Sequence, residues 1–334
     1  MSEKDFAVVG LGNALMDALI RLDNDDFLTE QALNKGVMHS VANDVWMKVY
    51  DALHAAGKQA DLQTGGSCAN SIAALGLMGA KVSYCGHVGN DHFGEMYVEQ
   101  LKEACGHHSL ILGEGVTGKC LSLVSPDIER TMLTDLGDSV NLPSIEHFKA
   151  VIEGSQVFYS TGYLLLGDPM KSHLLEAAKV AKAAGVKVAF DVADAFVIDL
   201  VRDEMKAFIE EYVDICFLNE AEAKSMTQSD DATNAFAMLK DMCETIVVKL
   251  GGRGSVVYSK GEMAKADIFK VKAIDSTGAG DSFAAGFLYA YTAGWPLEQS
   301  VRLASRIASE TVAQLGAVVR VPNRLRELVV EIQG

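Results

Sequence analysis

The sequence predicts an α/β fold in which a mostly parallel sheet is covered by helices on both faces. Short runs rich in β-branched residues recur along the chain, and amphipathic stretches of helical period separate many of them. Strands and helices that alternate in this way favour a parallel sheet with helices on each side. The predicted strands are 6–10, 81–89, 156–160, 186–191, 213–218 and 245–250.

Helical patterns lie between these strands, and two regions depart from the alternation. Helices are predicted at 93–104, 170–185 and 231–242. From about residue 279 onward the pattern is largely helical. Residues 14–40 hold no long helical pattern, and residues 118–136 are typical of two strands around a turn at Pro126 and Asp127.

We expect the two departing regions to meet as a small β-sheet lid over the main domain. This lid is discontinuous in sequence, formed by 14–40 and 113–137. The segments 1–13, 41–112 and 138–334 then form one large α/β core. With 334 residues, of which 49% are hydrophobic, the chain is long enough for such a core and a smaller appendage.

Composition excludes several classes of partner. The apolar runs are shorter than the roughly 20 residues that a membrane span needs, and the net charge of −16 argues against binding to nucleic acid or to an anionic membrane. The six cysteines are scattered without a CxxC pair, which is typical of a reduced cytosolic protein. The first residues do not follow a signal-peptide pattern, so we expect a cytoplasmic location.

Three motifs come close to known sites and fail on specific residues. "GLGNAL" (10–15) has Leu15 where a dinucleotide fingerprint needs its third glycine. "GEGVTGKC" (113–120) has Cys120 where a P-loop needs a hydroxyl, and a strand-like pattern follows it instead of a helix. The pair His107 and His108 lacks further ligands at zinc spacing.

The stretch "DSTGAGDSF" (275–283) places small residues at the start of a predicted helix, after what is predicted to be a strand. Free amide groups at a helix N-terminus bind anions, and the absence of bulky side chains lets a phosphoryl group approach closely. The three amides in question belong to Gly278, Ala279 and Gly280. The alternative is an ordinary helix start capped by Asp275 or Ser276.

Asp281 follows these amides, although a carboxylate repels a phosphate. A general base explains it: Asp281 accepts the proton of a substrate hydroxyl while the adjacent amides hold the phosphoryl group that the hydroxyl attacks. The alternative role is stabilisation of the helix dipole, worth less than about 1 kcal/mol.

This stretch resembles the C-terminal signature of the ribokinase family, the phosphofructokinase-B-type carbohydrate kinases. Three further elements resemble the same family in the same order: "GGSCANS" (65–71), "NEAE" (219–222) and "KLGGRGS" (249–255). The resemblance covers essentially the whole chain. It implies a ribokinase-like three-layer α/β/α core with a β lid, and Mg²⁺-assisted transfer of the γ-phosphoryl group of ATP to an alcohol.

The resemblance also implies roles for individual residues. It carries over Asp281 as the base, the amides above as the anion hole, and Arg130 as a lid arginine that reaches the phosphoryl group. Asn219 and Glu222 match the pair that organises Mg²⁺ and its waters, although Asn-x-x-Glu is also a helix capping box. The nucleotide site would comprise Asn219, Lys249, Gly251, Gly254 and Thr277. Lys249 could instead simply end a strand, and a monovalent cation such as K⁺ near Asp275 and Thr277 is left open.

The acceptor is suggested by "GNALMD" (12–17), which resembles the adenosine-kinase branch of the family. On this match Asp17 accepts hydrogen bonds from the vicinal hydroxyls of a ribose, and Asn13 contacts the base or ribose, unless it is only a turn residue. The resemblance adds three residues to the ribose site: Gly66, Ser67 and Asn70. We therefore expect the product to be AMP.

The base-binding wall is less defined. Its candidates are Met38, Cys120, Tyr163 and Leu164, each equally explained by core packing. Four alternatives stay open: a ribose or related sugar kinase, an inosine or guanosine kinase, a non-catalytic binding protein and a nicotinamide oxidoreductase. The expected partners are small molecules, and the chain could be a monomer or a homodimer.

Overall fold

The computed structural model of the chain describes residues 4–127 and 129–334. The strands are β1 (Phe6–Leu11), β2 (Leu15–Arg21), β3 (Met38–Ser40), β4 (Asp61–Gly65), β5 (Val82–Gly89), β6 (Ser109–Gly113), β7 (Gly118–Val124), β8 (Arg130–Asp135), β9 (Ser155–Thr161), β10 (Lys187–Asp191), β11 (Ile215–Asn219), β12 (Thr245–Lys249), β13 (Ser255–Ser259) and β14 (Glu262–Ala266). They form two sheets.

The α-helices alternate with these strands over much of the chain. They are α1 (Asp26–Glu30), α2 (Asn43–Ala55), α3 (Ser67–Met78), α4 (His92–Cys105), α5 (Lys149–Glu153), α6 (Met170–Ala183), α7 (Ala195–Tyr212), α8 (Glu220–Thr227), α9 (Ala232–Leu239), α10 (Ala279–Thr292), α11 (Leu297–Val312) and α12 (Arg324–Gln333).

The larger sheet has nine strands in the order β14-β13-β12-β11-β10-β9-β1-β5-β6. Neighbouring strands from β12 to β6 are parallel, and β13 and β14 continue the sheet as antiparallel strands. Helices α3, α4, α10, α11 and α12 bury their apolar residues on one face. Helices α5 to α9 do so on the other. The predicted α/β class is therefore confirmed.

The second sheet has five strands in the order β3-β8-β7-β2-β4. One face of it packs against α1 and α2 around the buried Trp46, Leu121 and Leu133. Because side chains alternate along a strand, Asp17 of β2 lies on the opposite face, and Cys120 of β7 is its partner in the ladder. A small β lid in addition to the core was predicted, and the structure contains one.

Two details differ from the sequence prediction. The lid also contains β4, which pairs antiparallel with β2, so residues 61–65 and the covering helix α2 belong with the lid sheet and not with the expected core segment 41–112. Residues 267–277, all of them described, form no strand before the glycine turn: β14 ends at Ala266, and the amides of Ile274 and Asp275 donate to the Val312 carbonyl at the end of α11. Residues 1–3 and 128 of the expected segments lie outside the described residues.

Across residues 4–127 and 129–334, no helix combines the length and the apolar character needed to cross a membrane.

Candidate active site

The candidate site lies at the carboxyl ends of the parallel strands, where clefts in open α/β sheets bind their ligands. Asp191 ends β10, Asn219 ends β11 and Lys249 ends β12. Asn219 and Lys249 are direct neighbours across the β11–β12 ladder. The start of α10 meets the same edge, because a Cβ placed on Gly280 would lie 3.1 Å from Lys249 Nζ.

The two glycines of the turn before α10 have separate physical reasons. Gly278 is the N-cap of α10 and has φ of +70°, a conformation that L side chains avoid. A side chain there would also overlap the carbonyl oxygen of Ala317. Gly280 leaves the space that the ammonium group of Lys249 occupies. The alternative caps, Asp275 or Ser276, are therefore wrong.

The amides of the turn differ slightly from the predicted set. Ala279 N donates to the Ser276 carbonyl at 3.3 Å. Within the described part of the chain, the N–H groups of Gly278, Gly280 and Asp281 have no hydrogen-bond acceptor. Three free amides at the N-terminus of a fourteen-residue helix form a place for an anion.

Asp281 lies in the first turn of α10 and is half-buried, so it is not sealed from the cleft. Its Oδ1 accepts a hydrogen bond of 2.6 Å from Ser67 Oγ, and its Oδ2 accepts one of 2.9 Å from Asn70 Nδ2. Burial raises the pKa of Asp281 to about 6, against the lowering effect of these two hydrogen bonds. A carboxylate with such a pKa is suited to accept a proton near neutral pH.

Ser67 and Asn70, predicted to bind the ribose, therefore hold the candidate base in this structure. Both lie in the first turn of α3, directly after its N-cap Gly66. Asn70 Oδ1 is buried and accepts no hydrogen bond from the described residues, and the same is true of Asn13 Oδ1. Buried polar atoms are nearly always paired, so each of these oxygens is available to accept a hydrogen bond from water or a ligand.

Asp17 reaches the same region from the lid. Its carboxyl group lies directly against Gly65, because a Cβ on that glycine would overlap it. A Cβ on Gly66 would likewise overlap the backbone carbonyl oxygen of Asn13. No described residue donates a hydrogen bond to Asp17. Burial raises its pKa to about 7; the charge of Arg130 opposes this shift and that of Asp281 adds to it.

Arg130, the predicted lid arginine, is brought to the site but is paired. Its guanidinium donates to Asp275 Oδ2 at 2.5 Å. The same carboxylate accepts from Gly316 N at 2.9 Å and, through Oδ1, from the N and Oγ1 of Thr277 at 3.0 and 2.8 Å. Burial raises the pKa of Asp275, but these donors hold it below its usual value. A carboxylate offers about four lone pairs, so this geometry does not fit direct coordination of K⁺ by Asp275.

Asn219 and Glu222 form a complete capping box at the start of α8. Glu222 Oε2 accepts from Asn219 N at 2.7 Å, and its Oε1 accepts from Asn219 Nδ2 at 2.5 Å. Burial raises the pKa of Glu222 to about 7. No group of three or more His, Cys, Asp or Glu side chains within the described ranges is placed to hold a metal. The pair fits contact with the waters of a Mg²⁺ ion carried by phosphates, but not direct chelation by Glu222.

The rest of the predicted nucleotide site lies around the ends of β12 and α10. Gly251 and Gly254 form the turn between β12 and β13, where Gly254 N donates to the Gly251 carbonyl at 3.0 Å. Thr277 turns its hydroxyl to Asp275. Lys249 Nζ donates to Asp191 Oδ2 at 2.7 Å.

Asp191 also belongs to the candidate site, and it was not predicted from the sequence. This residue is buried and its Oδ1 accepts from Ala193 N at 3.0 Å. Ala193 has φ of +78°, an unusual conformation for alanine that is often found at functional sites. A single aspartate at a strand end carries no local pattern, so only the β10–β11–β12 order of the sheet could have placed it beside Lys249.

An aromatic pair that the sequence did not reveal borders the site. The rings of Tyr163 and Phe196 are 6.4 Å apart, and Phe196 is 37% exposed. Tyr163 follows the end of β9 and Phe196 follows the end of β10, so the pair lies at the same edge of the sheet as Asp191. Burial raises the pKa of Tyr163, and the charges of Asp194 and Asp281 raise it further. Leu164, another candidate for the base-binding wall, is buried in the core, whereas Met38 is 43% exposed.

The near-miss motifs behave as expected. A strand, β2, follows "GLGNAL", and a strand, β7, begins within "GEGVTGKC", so neither segment presents a helix N-terminus. His107 Nδ1 lies 3.0 Å from Ser83 Oγ, and its ring packs 5.0 Å from that of Phe6.

Comparisons with known proteins agree on the fold and the family. The model of the pfkB family of carbohydrate kinases matches residues 37–324. The chain is 31% identical over 263 residues to the adenosine kinase of Dictyostelium discoideum, a match that covers 71% of this chain and 74% of that protein. Kinases of this family phosphorylate hydroxyl groups of sugars or nucleosides and use ATP.

Solved structures of two bacterial kinases are similar over nearly their whole length. The adenosine kinase from Sinorhizobium meliloti superimposes with a TM-score of 0.87 at 31% identity, covering 98% of this chain and 99% of that one. A probable sugar kinase from Rhizobium etli superimposes with a TM-score of 0.89 at 29% identity, covering 99% of each chain. The predicted three-layer core with a β lid and the predicted family are thus confirmed: the chain belongs to the pfkB family of carbohydrate kinases.

Proposed function

We propose that this kinase transfers the γ-phosphoryl group of ATP to the 5′-hydroxyl of adenosine, giving AMP. The observation that carries the proposal is the position of Asp17. Its carboxylate lies on the inner face of the lid, accepts no hydrogen bond from the described residues, and lies against Gly65, two residues before the Ser67 that donates to Asp281. Such a carboxylate is suited to two adjacent hydroxyl donors.

The orphan oxygens support a polar space between lid and core. Asn13 Oδ1 and Asn70 Oδ1 are buried without partners and flank the loop that Asp17 covers. A ribose with its 2′- and 3′-hydroxyls on Asp17 would direct its 5′-hydroxyl to Asp281. Because these contacts use all three of its hydroxyl protons, waters that enter with the substrate would donate to the two amide oxygens.

In the proposed reaction the acceptor oxygen attacks the γ-phosphorus in line with the departing ADP oxygen. Its proton passes to Asp281, whose two oxygens Ser67 and Asn70 keep in a fixed orientation. The free amides of Gly278, Gly280 and Asp281 meet the charge of the phosphoryl oxygens.

Mg²⁺, when bound, would neutralise part of the phosphate charge, with Asn219 and Glu222 contacting its waters. Arg130, at the start of β8 in the lid, would add a positive charge and its remaining N–H donors while one nitrogen keeps its hydrogen bond to Asp275. Closure of the lid would exclude water, which otherwise competes as the phosphoryl acceptor.

Two observations bear on the choice between a nucleoside and a free sugar. The Tyr163–Phe196 pair offers an aromatic surface beside the catalytic carboxylates, which a purine base would use and a free ribose would not. The similarity to a probable sugar kinase keeps ribose as the second candidate.

A substrate panel tests the proposal. ATP consumption is measured with adenosine, inosine, guanosine and ribose under the same conditions, and each product is identified by mass. The proposal expects the highest kcat/KM with adenosine and a product with the mass of AMP. A higher kcat/KM with ribose, or substrate protection against melting without any product, would contradict it.

A further inference from the structure

Lys249 is a largely buried lysine whose ammonium group is only partly paired. Its side chain is 15% exposed. One hydrogen bond leaves Nζ, to Asp191 Oδ2 at 2.7 Å. An ammonium group has three N–H donors, and no other acceptor for Nζ lies within hydrogen-bond distance in the described part of the chain.

The unpaired donors lie beside the start of α10. A Cβ on Gly280 would be 3.1 Å from Lys249 Nζ, so the ammonium group is packed against the residue whose amide is free. A buried cation with unused donors next to three unused amides indicates one shared acceptor. An anion fits this set best, because every group in it donates and the ammonium group is positively charged.

Asp191 fixes the position of Lys249. Its carboxylate is 4% exposed and accepts from Lys249 on one oxygen and from the amide of Ala193 on the other. Asp191 is the last residue of β10 and Lys249 is the last residue of β12, and these two strands lie on either side of β11. The ammonium group is therefore held over the cleft by a partner that itself has little freedom.

We propose that Lys249 is a catalytic residue of phosphoryl transfer, with its ammonium group on the migrating phosphoryl group, and that Asp191 is its positioning residue. The inference deepens the proposed function and rests on it for the reaction type. The bond from the γ-phosphorus to the ADP oxygen breaks and the bond to the acceptor oxygen forms. The acceptor's proton goes to Asp281, while Lys249 donates hydrogen bonds and keeps its protons.

The test uses Lys249→Met, Asp191→Asn and the double variant. Lys249→Met alone leaves the buried carboxylate of Asp191 without a counter-charge, which destabilises the fold. The double variant removes both charges and keeps the side-chain volumes similar, so it is expected to stay folded, and its kcat is the main measurement. We expect its kcat to fall about 10²- to 10³-fold, with the KM for the acceptor unchanged. Lys249→Arg should recover part of the rate.

The double variant also separates positioning from a merely structural role. If Asp191 acts through Lys249, adding Asp191→Asn to Lys249→Met leaves kcat as low as in Lys249→Met alone. If kcat of the double variant is lower than that of Lys249→Met by the same factor that Asp191→Asn causes in the wild type, the positioning role of Asp191 is overturned. A folded double variant with kcat near the wild-type value would overturn the catalytic role of Lys249.

The matched control is Lys187→Met. Like Lys249, Lys187 is paired with carboxylates, Asp214 at 3.0 Å and Glu244 at 2.8 Å, but it lies at the opposite end of β10 from the site. This variant should lower the melting temperature without changing kcat. All variants are assayed with the acceptor that the wild type uses best. If that acceptor is ribose, the proposed adenosine specificity fails while the test of Lys249 proceeds unchanged.

Discussion

Ser67 Oγ donates a 2.6 Å hydrogen bond to Asp281 Oδ1, although the two residues are 214 positions apart in sequence. The bond joins the first turn of α3 to the first turn of α10. With Asn70 on the other oxygen, it fixes the plane of the carboxylate that we assign as the base. Both hydrogen bonds favour the ionised form of Asp281 and thereby limit the effect of its burial.

The first prediction concerns pH. Asp17 must be ionised to accept from two hydroxyls, and burial raises its pKa to about 7. Asp281 must be ionised to accept a proton, and burial raises its pKa to about 6, so kcat/KM should fall as the pH drops through about 7 and fall further through about 6. Ser67→Ala removes a hydrogen bond that lowers this pKa, and the acid limb should therefore move to higher pH. Ser144→Ala, which removes an exposed capping hydroxyl, is the control. A pH profile that is the same in Ser67→Ala and wild type would contradict the assignment.

The second prediction concerns the acceptor diol. Hydrogen bonds to charged groups are worth about 1.5–3 kcal/mol, which corresponds to a factor of about 10 to 100 in kcat/KM. We expect wild type to prefer adenosine to 2′-deoxyadenosine by a factor in this range. In Asp17→Ala the preference should almost disappear, because adenosine loses two hydrogen bonds whereas the deoxynucleoside loses only the one from its 3′-hydroxyl. An undiminished preference would show that Asp17 does not bind the 2′-hydroxyl.

The third prediction concerns monovalent cations. Asp275 already accepts four hydrogen bonds, one from the guanidinium of Arg130 and three from Thr277 and Gly316. We therefore expect equal kcat in K⁺, Na⁺ and tetramethylammonium salts at the same ionic strength. Severalfold activation by K⁺ alone would mean that Arg130 leaves Asp275 to a cation in the working enzyme.

The fourth prediction concerns the glycine turn. Gly278 and Gly294 have similar φ angles, +70° and +74°, but a Cβ at Gly278 would overlap the Ala317 carbonyl whereas a Cβ at Gly294 meets nothing within 4 Å. Gly294→Ala should cost about 1 kcal/mol of unfolding free energy through backbone strain alone. Gly278→Ala should cost clearly more and abolish activity. Denaturant unfolding measures both, and equal losses would contradict the packing argument.

The sequence predicted the core of this fold well because strands buried on both faces leave continuous apolar runs. All six runs named from the sequence are strands of the larger sheet. The prediction of strands from the sequence was wrong where the local pattern and the tertiary pairing disagree. Val271 and Ala273 alternate with lysines as in a strand, yet both are exposed and belong to no strand.

Residues 61–65 show the opposite failure. They are short, polar and next to the glycine loop, so nothing in their pattern distinguishes a lid strand from a loop; the pairing with β2 decides it. The site was predicted to the extent that it lies in motifs, as Asp281 and Asn70 do. Asp191, the Asp275–Arg130 pair and the Tyr163–Phe196 pair arise only when distant segments meet.

The role of Asp281 is tested most directly by Asp281→Asn. Ionising a buried carboxylate costs stability above its raised pKa, so this variant should melt no lower than wild type at pH 7.5. The measurement is the rate of AMP formation from adenosine and MgATP, with the product identified by mass. We predict that kcat falls about 10²- to 10⁴-fold with little change in either KM. A folded Asp281→Asn variant that forms AMP at nearly the wild-type rate would contradict the account.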